Sequence, residues 1–337
     1  MELPHHKASK FAPQDFISNM PDNVITNILD RLPLQDAVRT DVLSKKWRSN
    51  WTMLSQLVFD DDFFKYLSKT EGENNHTRII SKIFRQLRGS ITKSVLIIDE
   101  TLDDLTLKNW HRTPLNLPTH LFSCVELKHL KLNYCYFNPP PTFHGFPNQL
   151  SLDLCVGFEE DFELREFLAR CPLLENLIID DCFKEGKVVQ VTDIAKNQNL
   201  KMLSLELHDL GNMCIISSST IFELVGSLPK LQELHLGFHE CSVSLSSVCG
   251  AKKRFPTVFP CLKVLKLSAI CLDNGMELSC AFDLIRSFPN QNLQTLEVAC
   301  EFDNASTSAI CSPEVDYKTT RLLHLRSVIF ENLKGLN

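Results

Sequence analysis

The chain has 337 residues, 44% of them hydrophobic and 23% charged, which is a normal composition for a folded protein but too long for one small compact domain. A formal net charge of −6 argues against a basic nucleic-acid surface. The longest aliphatic run, Val95 to Ile98, is much shorter than the roughly 18 to 20 apolar residues of a membrane span. We therefore expect a soluble repeat array or two to three domains, without nucleic acid or membrane as a partner.

The start of the chain, MELPHHKASKFAPQDF, lacks the apolar segment and small-residue cleavage site of a secretory signal. We therefore expect an intracellular protein of the cytoplasm, the nucleus or both. The thirteen cysteines include no Cys-x-x-Cys pair, and an intracellular compartment is reducing. These cysteines are expected to be thiols, with no metal site.

Residues 1–15 are polar and contain two prolines, which predicts a loose arm. Three runs then space their apolar residues as helices do: PDNVITNILDRLP, PLQDAVRTDVLS and SKKWRSNWTMLSQLV. They predict three short helices over residues 16–57. Asp22 and Ser44 are the expected N-caps of the first and third helices, and Pro33 ends the first.

The third run spaces Trp47 and Trp51 four residues apart, which predicts that both lie on one helix face. A unit of about 42 residues is near the size at which a chain struggles to bury enough apolar surface alone. We therefore expect an apolar patch that a partner's helices cover. In the alternative interpretation, the same side chains close a three-helix core or pack on the repeats.

Residues 16–57 resemble the plant F-box. Met20-Pro21 and Leu32-Pro33 stand at its two Leu-Pro pairs, followed by AVRTDVLSKKWRSNW; the Met replaces a Leu of similar volume, and Asp41 replaces a small residue. The resemblance implies docking on a Skp-type adaptor, which joins a cullin scaffold that carries the ubiquitin-conjugating enzyme. The adaptor-binding residues that it implies are Pro21, Ile25, Leu29, Leu32, Pro33, Val38, Leu43, Trp47 and Trp51.

The template Leu-x-x-Leu-x-Leu recurs nine times from about residue 100, at intervals of 22 to 32 residues. The copies, two of them weaker, begin at Leu102, Leu127, Gln149, Leu174, Leu200, Leu231, Leu262, Leu293 and Leu325. Helix-like segments such as FELREFLARCP and STIFELVGSLP precede several copies and end in proline. Stacked repeats bury apolar faces that one repeat cannot bury alone. The sequence therefore predicts an α/β fold, in which a three-helix F-box precedes an irregular leucine-rich repeat solenoid with a curved parallel sheet over residues 94–321.

Several cysteines fall just after a template copy, where a small, weakly polar thiol suits a crowded interior turn. These structural cysteines are Cys135, Cys182, Cys241, Cys271 and Cys300. Residues 58–93 are predicted to be a connector, with a mobile polar loop, SKTEGENNHT, and an amphipathic segment, RIISKIFRQLRG. Asp60, Asp61 and Asp62 in this connector are expected to form a solvated turn rather than a cation site.

The F-box motif, the repeats and the segments PTHLFSCVELKHLKL, NPPPTFHGFP and RCPLLENLIIDDC together are similar to plant F-box proteins with leucine-rich repeats and an FBD domain. The stretch from Ile98 to Pro118 is shorter than that family suggests. Residues 322–337, together with the preceding Arg321, have the sequence RLLHLRSVIFENLKGLN. They resemble only the opening of an FBD domain, which predicts a truncated FBD domain.

Phosphate-loop, dinucleotide, HExxH and GxSxG motifs are absent from the sequence, so we expect a noncatalytic protein without a cofactor. The polar positions inside the templates are expected to bind a target protein for ubiquitination. The chosen candidates are Lys128, Lys131, Glu206, Glu233, His235, Lys266 and Glu297. The alternative function is a leucine-rich repeat binding module, or a decayed family copy, that does not engage the ligase.

Overall fold

The computed structural model describes residues 16–71, 75–97, 115–158, 164–180, 191–206, 218–238, 261–271, 275–287, 292–301 and 326–331. Its helices are α1 (Asp22–Leu29), α2 (Leu34–Arg39), α3 (Asp61–Glu71), α4 (His76–Gln86), α5 (Leu164–Ala169), α6 (Val191–Ile194), α7 (Ser218–Ser227) and α8 (Gly275–Ser287). Its strands are β1 (Gln56–Phe59), β2 (Lys93–Leu96), β3 (Leu115–Asn116), β4 (His129–Phe137), β5 (Ser151–Phe158), β6 (Asn176–Asp180), β7 (Met202–Glu206), β8 (Glu233–Gly237), β9 (Val264–Cys271), β10 (Thr295–Glu301) and β11 (Ser327–Glu331).

All eleven strands belong to one parallel sheet, ordered β1-β2-β4-β5-β6-β7-β8-β9-β10-β11, with β3 paired to the end of β4. Each main strand therefore lies beside the next strand of the sequence, as in a solenoid. Eight predicted template copies, from the one at Leu127 to the one at Leu325, lie on β4 to β11. The copy at Leu102 lies outside the described residues. The predicted leucine-rich repeat fold is confirmed.

One backbone arrangement joins every neighbouring pair of repeats. The carbonyl of Ser55 accepts hydrogen bonds from the N–H groups of Thr92 and Lys93, at 2.8 and 3.2 Å. The carbonyl of Thr92 accepts the same pair from Lys128 and His129, and the pattern continues to the carbonyl of Gln294. Because the same two bonds recur, equivalent residues stay in register along the sheet.

The core is a row of stacked leucines. Leu152, Leu177, Leu203 and Leu234 are partners on neighbouring strands, and each is fully buried. Burying one such side chain stabilises the fold by about 1.5–3 kcal/mol. Helices α5 and α7 lie in segments that return the chain from one strand to the next, and they cover the leucine core on that side, which is called the return side. Both helices arise from segments predicted as helical.

A cluster of phenylalanines fills the space between β4 and α5. Phe122, Phe143, Phe146 and Phe167 have neighbouring rings, with centroids 4.8 Å apart for Phe143 and Phe146. The chain reaches this cluster through Gly145, whose φ of 90° favours glycine and whose added Cβ would collide with Arg170. The segment NPPPTFHGFP therefore packs aromatic rings into the sheet's return side.

The predicted third helix is wrong. Residues 44–49 form turns, and Asn50–Met53 form a short 3-10 helix before β1 begins. Ser49 has φ of 64°, and its N–H donates to the Asp41 carboxylate at 2.7 Å. Side chains that bond nearby backbone groups compete with helical hydrogen bonding, so this run turns instead.

The predicted helix ends also differ. Pro21 precedes α1 and Pro33 precedes α2, neither with a side-chain cap, so Asp22 is the first helical residue rather than the N-cap. The Ser44 hydroxyl accepts the N–H of Lys46 at 3.2 Å, but it closes a turn rather than a helix. Proline serves at a helix start because its fixed φ suits the first turn and it needs no N–H there.

The connector is more ordered than predicted. The Asp60 carboxylate accepts the N–H of Phe63 at 3.0 Å, and α3 begins at Asp61. The acidic run therefore starts a helix, where its charge is favourable, so the predicted solvated turn is wrong. The amphipathic segment forms α4 as expected, and residues 72–74 lie outside the described residues.

Candidate functional site

The chain presents two candidate binding surfaces, and the first is the apolar exterior of residues 16–57. Of thirteen large apolar side chains that are exposed in the described residues, seven lie between residues 16 and 57. They are Phe16, Ile17, Val24, Leu32, Val42, Leu43 and Met53. Val42 is 86% exposed and Leu43 52% exposed, immediately after α2. Apolar surface at this density indicates a surface that a partner covers.

The structure divides the predicted adaptor-binding residues into two groups. Ile25, Leu29, Trp47 and Trp51 are buried in the core, at 1–6% exposure. Pro21, Leu32, Pro33 and Leu43 are exposed, and Val38 is half-buried. The two tryptophans therefore stabilise this segment itself, and the indole N–H of Trp47 donates to the carbonyl of Ile17 at 3.0 Å.

Residues 16–57 are joined to the sheet by a short chain of polar contacts. The Asp30 carboxylate, at the end of α1, accepts the N–H of Ser55 at 3.0 Å and its hydroxyl at 2.8 Å. The Ser55 carbonyl in turn accepts the N–H and the hydroxyl of Thr92, before β2. At Gly89, an added Cβ would lie 2.7 Å from the Met53 carbonyl oxygen. The apolar surface thus has a fixed position relative to the sheet.

The second candidate surface is the sheet face, formed by the side chains that point away from the leucine core. The residues between the last two leucines of each template form one row of strand partners on this face. That row includes Lys131, Asp153, His235, Lys266 and Glu297. The amine of Lys131 lies 2.6 Å from the Asp153 carboxylate, and that of Lys266 lies 2.7 Å from Glu297. The uncharged Ile178 and Ser204 lie between Asp153 and His235 in this row, so two separate ion pairs hold its charged side chains in place.

The remaining predicted target-binding residues lie on this face too. Lys128 is exposed before β4, and Glu233 lies 3.8 Å from the His235 ring nitrogen Nε2. Glu206 ends β7 beside Gly237, and a Cβ on that glycine would collide with the Glu206 carboxylate. All seven predicted residues are therefore on or beside the sheet face.

His235 lies near the centre of the sheet face. Burial lowers its pKa from the ordinary value of 6.5, and the nearby positive charge of Lys266 lowers it further. The carboxylates of Glu233 and Glu297 act in the opposite direction. Since the lowering effects prevail, this side chain is neutral at pH 7.

A cavity of about 290 Å³ opens between α4 and the 3-10 helix Thr119–Ser123. Its lining includes Phe84, Ile91, His120 and Cys124. Burial raises the pKa of the Cys124 thiol to about 11, so this sulfur stays protonated and is a poor nucleophile. The sequence templates did not indicate this cavity.

Eight cysteines fall among the described residues, and all eight are free thiols. Cys135 and Cys300 are buried within β4 and β10, whereas Cys182 and Cys241 lie outside the described residues. In the described ranges, His, Cys, Asp and Glu form no group of three that could hold a metal ion. The described helices include none with the length and apolarity to cross a membrane.

Sequence reasoning missed the first two strands of the sheet. Leu54-x-x-Leu57-x-Phe59 fits the template, but it overlaps the tryptophan spacing that predicted a helix. In Ile91-x-x-Ser94-x-Leu96 a serine replaces the middle leucine, and that serine is buried in β2. The leucine at position 54 was the signal that could have shown that the sheet starts there.

The structure joins a segment of short helices to a parallel leucine-rich repeat sheet, and family models match both parts. A family model of the F-box domain matches residues 17–58. A second model, the leucine-rich repeats of FBD-associated F-box protein At5g56370, matches residues 96–236. These matches confirm the resemblance to plant F-box/FBD/leucine-rich repeat proteins that the sequence showed.

Relatives in Arabidopsis thaliana agree with this assignment. F-box/FBD/LRR-repeat protein At1g13570 is 28% identical over 325 residues, covering 85% of this chain and 76% of the relative. F-box/LRR-repeat protein 13 is 27% identical over 262 residues, covering 70% of this chain. Putative FBD-associated F-box protein At1g05080 is 29% identical over 227 residues, and the alignment covers 62% of this chain. The chain spans 54% of the length of F-box/LRR-repeat protein 13 and 50% of the length of At1g05080.

Among solved structures, internalin C2 of Listeria monocytogenes aligns with a TM-score of 0.36 at 15% identity. The alignment covers 92% of this chain and 96% of that chain.

Proposed function

We propose that this protein is a noncatalytic target-recruiting subunit of a Skp-cullin-F-box ubiquitin ligase, acting in the cytoplasm, the nucleus or both. The F-box docks on a Skp-type adaptor, and the sheet face holds a target protein near the conjugating enzyme that the cullin carries. The observation that supports this most directly is the exposed apolar surface of residues 16–57, which is concentrated in the segment that the F-box model matches.

Docking by this surface uses exposed residues rather than the buried ones. Val42 and Leu43 follow α2 and place large apolar side chains in solvent, where a partner's helices can cover them. Burial of such side chains at an interface supplies most of the free energy of association. Ile25 and Leu29 support that surface from beneath, within the core.

The fixed junction between the F-box and the sheet suits a scaffold that brings two proteins together. Since Asp30, Ser55 and Thr92 tie the F-box to the first strands, a target on the sheet face keeps a constant position relative to the adaptor. Holding two reactants in proximity raises their effective concentration, so the ligase gains rate without chemistry by this chain.

Co-purification tests the proposal. The chain is expected to capture a Skp-type adaptor, and the double variant Val42→Asp/Leu43→Asp is expected to lose capture, because carboxylates at an apolar interface are costly to desolvate. Both positions are exposed, so the thermal midpoint of the variant should match that of the wild type.

Val125→Asp is the matched control, because Val125 is 60% exposed but lies in the repeats. This control is expected to retain capture. A wild-type chain that captures no adaptor would contradict the proposal and favour the alternative, a repeat module that binds its partner outside the ligase.

A further inference from the structure

A row of long polar side chains lies where the chain enters β7 to β11. These five residues, Lys201, Gln232, Lys263, Gln294 and Arg326, are called the basic row. Each residue follows the first leucine of its template copy. Lys201 donates its backbone N–H to the Glu175 carbonyl, and each other member donates to the carbonyl of the preceding member, at 2.7–2.8 Å.

These backbone bonds fix the spacing of the basic row. Neighbouring strands lie about 4.8 Å apart, so the cations on alternate strands recur at about 10 Å. Glutamines occupy the strands between them. The row thus alternates a positive charge with an amide over five consecutive strands.

Among the described residues, two of the three cations have no carboxylate partner. The amine of Lys201 pairs with Glu175 at 2.6 Å, whereas that of Lys263 donates to the neutral amide oxygen of Gln232 at 3.1 Å. Within the described part of the chain, Lys263 and Arg326 form no ion pair, and both are exposed. The carboxylate of Glu297 is held by Lys266 in another row of the sheet face, at 2.7 Å.

The opposite edge of the sheet face carries carboxylates near the start of the basic row. Asp180 and Glu206 are the last residues of β6 and β7, whereas the uncharged Gly237 and Ser268 follow in the same register on β8 and β9. A polyanion such as a nucleic acid would meet these carboxylates when it covered the full width of the face. A narrow anionic ligand that follows only the basic row avoids them.

We infer that the basic row binds an extended acidic segment of the target protein, and this inference rests on the proposed function, whose target chemistry it names. A peptide in the extended polyproline II conformation rises about 3.1 Å per residue with three residues per turn, so its residues i, i+3 and i+6 lie on one face and recur at about 9 Å. Acidic groups at that spacing face Lys201, Lys263 and Arg326 in turn. The amides of Gln232 and Gln294 offer hydrogen bonds to the segment between them.

The acidic groups come from Asp and Glu carboxylates or from phosphorylated side chains, and two probe peptides distinguish these sources. One carries Asp at positions i, i+3 and i+6 in a Gly-Ser background, and the other carries phosphoserine at the same positions. Their binding to the intact chain is measured by fluorescence anisotropy at low salt and at about 0.15 M salt, where exposed charge interactions weaken. The peptide that binds more tightly identifies the source.

The variant Lys263→Glu/Arg326→Glu is expected to weaken binding of the preferred peptide by at least about tenfold. A peptide with its three acidic residues adjacent is expected to bind more weakly than the spaced one. The control is Lys65→Glu, an exposed site on α3 with the same change of charge per residue, which should bind within about twofold of the wild type.

Three results would overturn the inference: no peptide binding by the wild type, equal binding by the double variant, or tighter binding of a single-stranded oligonucleotide than of either peptide. Adaptor capture is measured on the same proteins. Because capture depends on the F-box, its absence in the wild type contradicts the proposed function alone, whereas loss of peptide binding with capture intact contradicts only the basic row.

Discussion

Asp30 is the residue whose side chain ties the F-box to the repeat sheet. Its two oxygens accept separate hydrogen bonds from Ser55, so its removal leaves a partly buried backbone N–H without that acceptor. We expect Asp30→Ala to lower the free energy of unfolding by about 1–3 kcal/mol. Chemical denaturation measures this change.

The control for this variant is Asp36→Ala. Asp36 forms an exposed ion pair with Arg39 at 3.0 Å on α2, and its removal should change stability clearly less than Asp30→Ala does, because solvent screens exposed pairs. Equal losses in the two variants would show that the contact between Asp30 and Ser55 does not stabilise the junction.

His235 makes stability depend on pH. Its pKa is lowered in the folded chain, chiefly by burial, so the unfolded chain binds a proton at higher pH than the folded chain does. The stability associated with the neutral side chain is complete above the unfolded value of 6.5 and decreases as the pH falls toward the lowered pKa. Acid therefore destabilises the folded chain through this residue.

His235→Gln removes that contribution. Between about pH 7.5 and about pH 5.5, the wild type is expected to lose more stability than the variant, as measured by denaturant unfolding at each pH. Parallel losses in both proteins would mean that His235 is not the titrating group.

The division of the F-box residues into buried and exposed ones was only partly predictable from the sequence. Helical spacing identified the apolar residues, yet neighbours such as Val24 and Ile25 differ from 39% to 1% exposure. That difference depends on how α1 packs against the 3-10 helix Asn50–Met53, and spacing does not contain this information. The exposed residues that are proposed to dock on the adaptor could therefore be identified only from the structure.

Among the secondary-structure elements, strands β4 to β11 were predictable because stacked leucines recur in the template pattern along the sequence. The template did not give the 44–53 turn, where Ser49 adopts a left-handed conformation and bonds Asp41. The apolar spacing of that run is compatible with a helix, so a contact from outside the run, that of the Asp41 carboxylate, decides its conformation. Apolar spacing and hydrogen bonding therefore disagree at this segment.

The phenylalanine cluster gives the return side its own stability. Phe146 is fully buried against Phe143 and Phe167, so Phe146→Ala is expected to cost about 3–5 kcal/mol through lost contacts and a cavity. Phe282 on α8 is 38% exposed, and Phe282→Ala should cost clearly less. Urea unfolding of both variants tests this, and similar costs would show that the cluster is not a stabilising core.

At the scale of the whole molecule, the F-box and the repeats share one sheet. β1 immediately follows the F-box helices and pairs in parallel with β2, so the last F-box residues are also the first rung of the solenoid. The sequence suggested two domains with a connector, because the serine in β2 disguised the continuity of the templates. A shared sheet gives a rigid link, which a flexible connector would not.

The two proposed contacts use different residues. The adaptor is proposed to meet exposed residues around α2, and the target is proposed to meet side chains of the sheet face. Charge substitutions such as Lys263→Glu should therefore leave adaptor capture unchanged.

Hydrogen–deuterium exchange of the chain with and without a purified Skp-type adaptor tests whether the F-box docks on that adaptor. We expect the adaptor to protect backbone amides between residues 32 and 54, around the exposed Val42 and Leu43, and to leave the exchange of β7 to β9 unchanged. Protection confined to β7 to β9, or no protection at all, would contradict it.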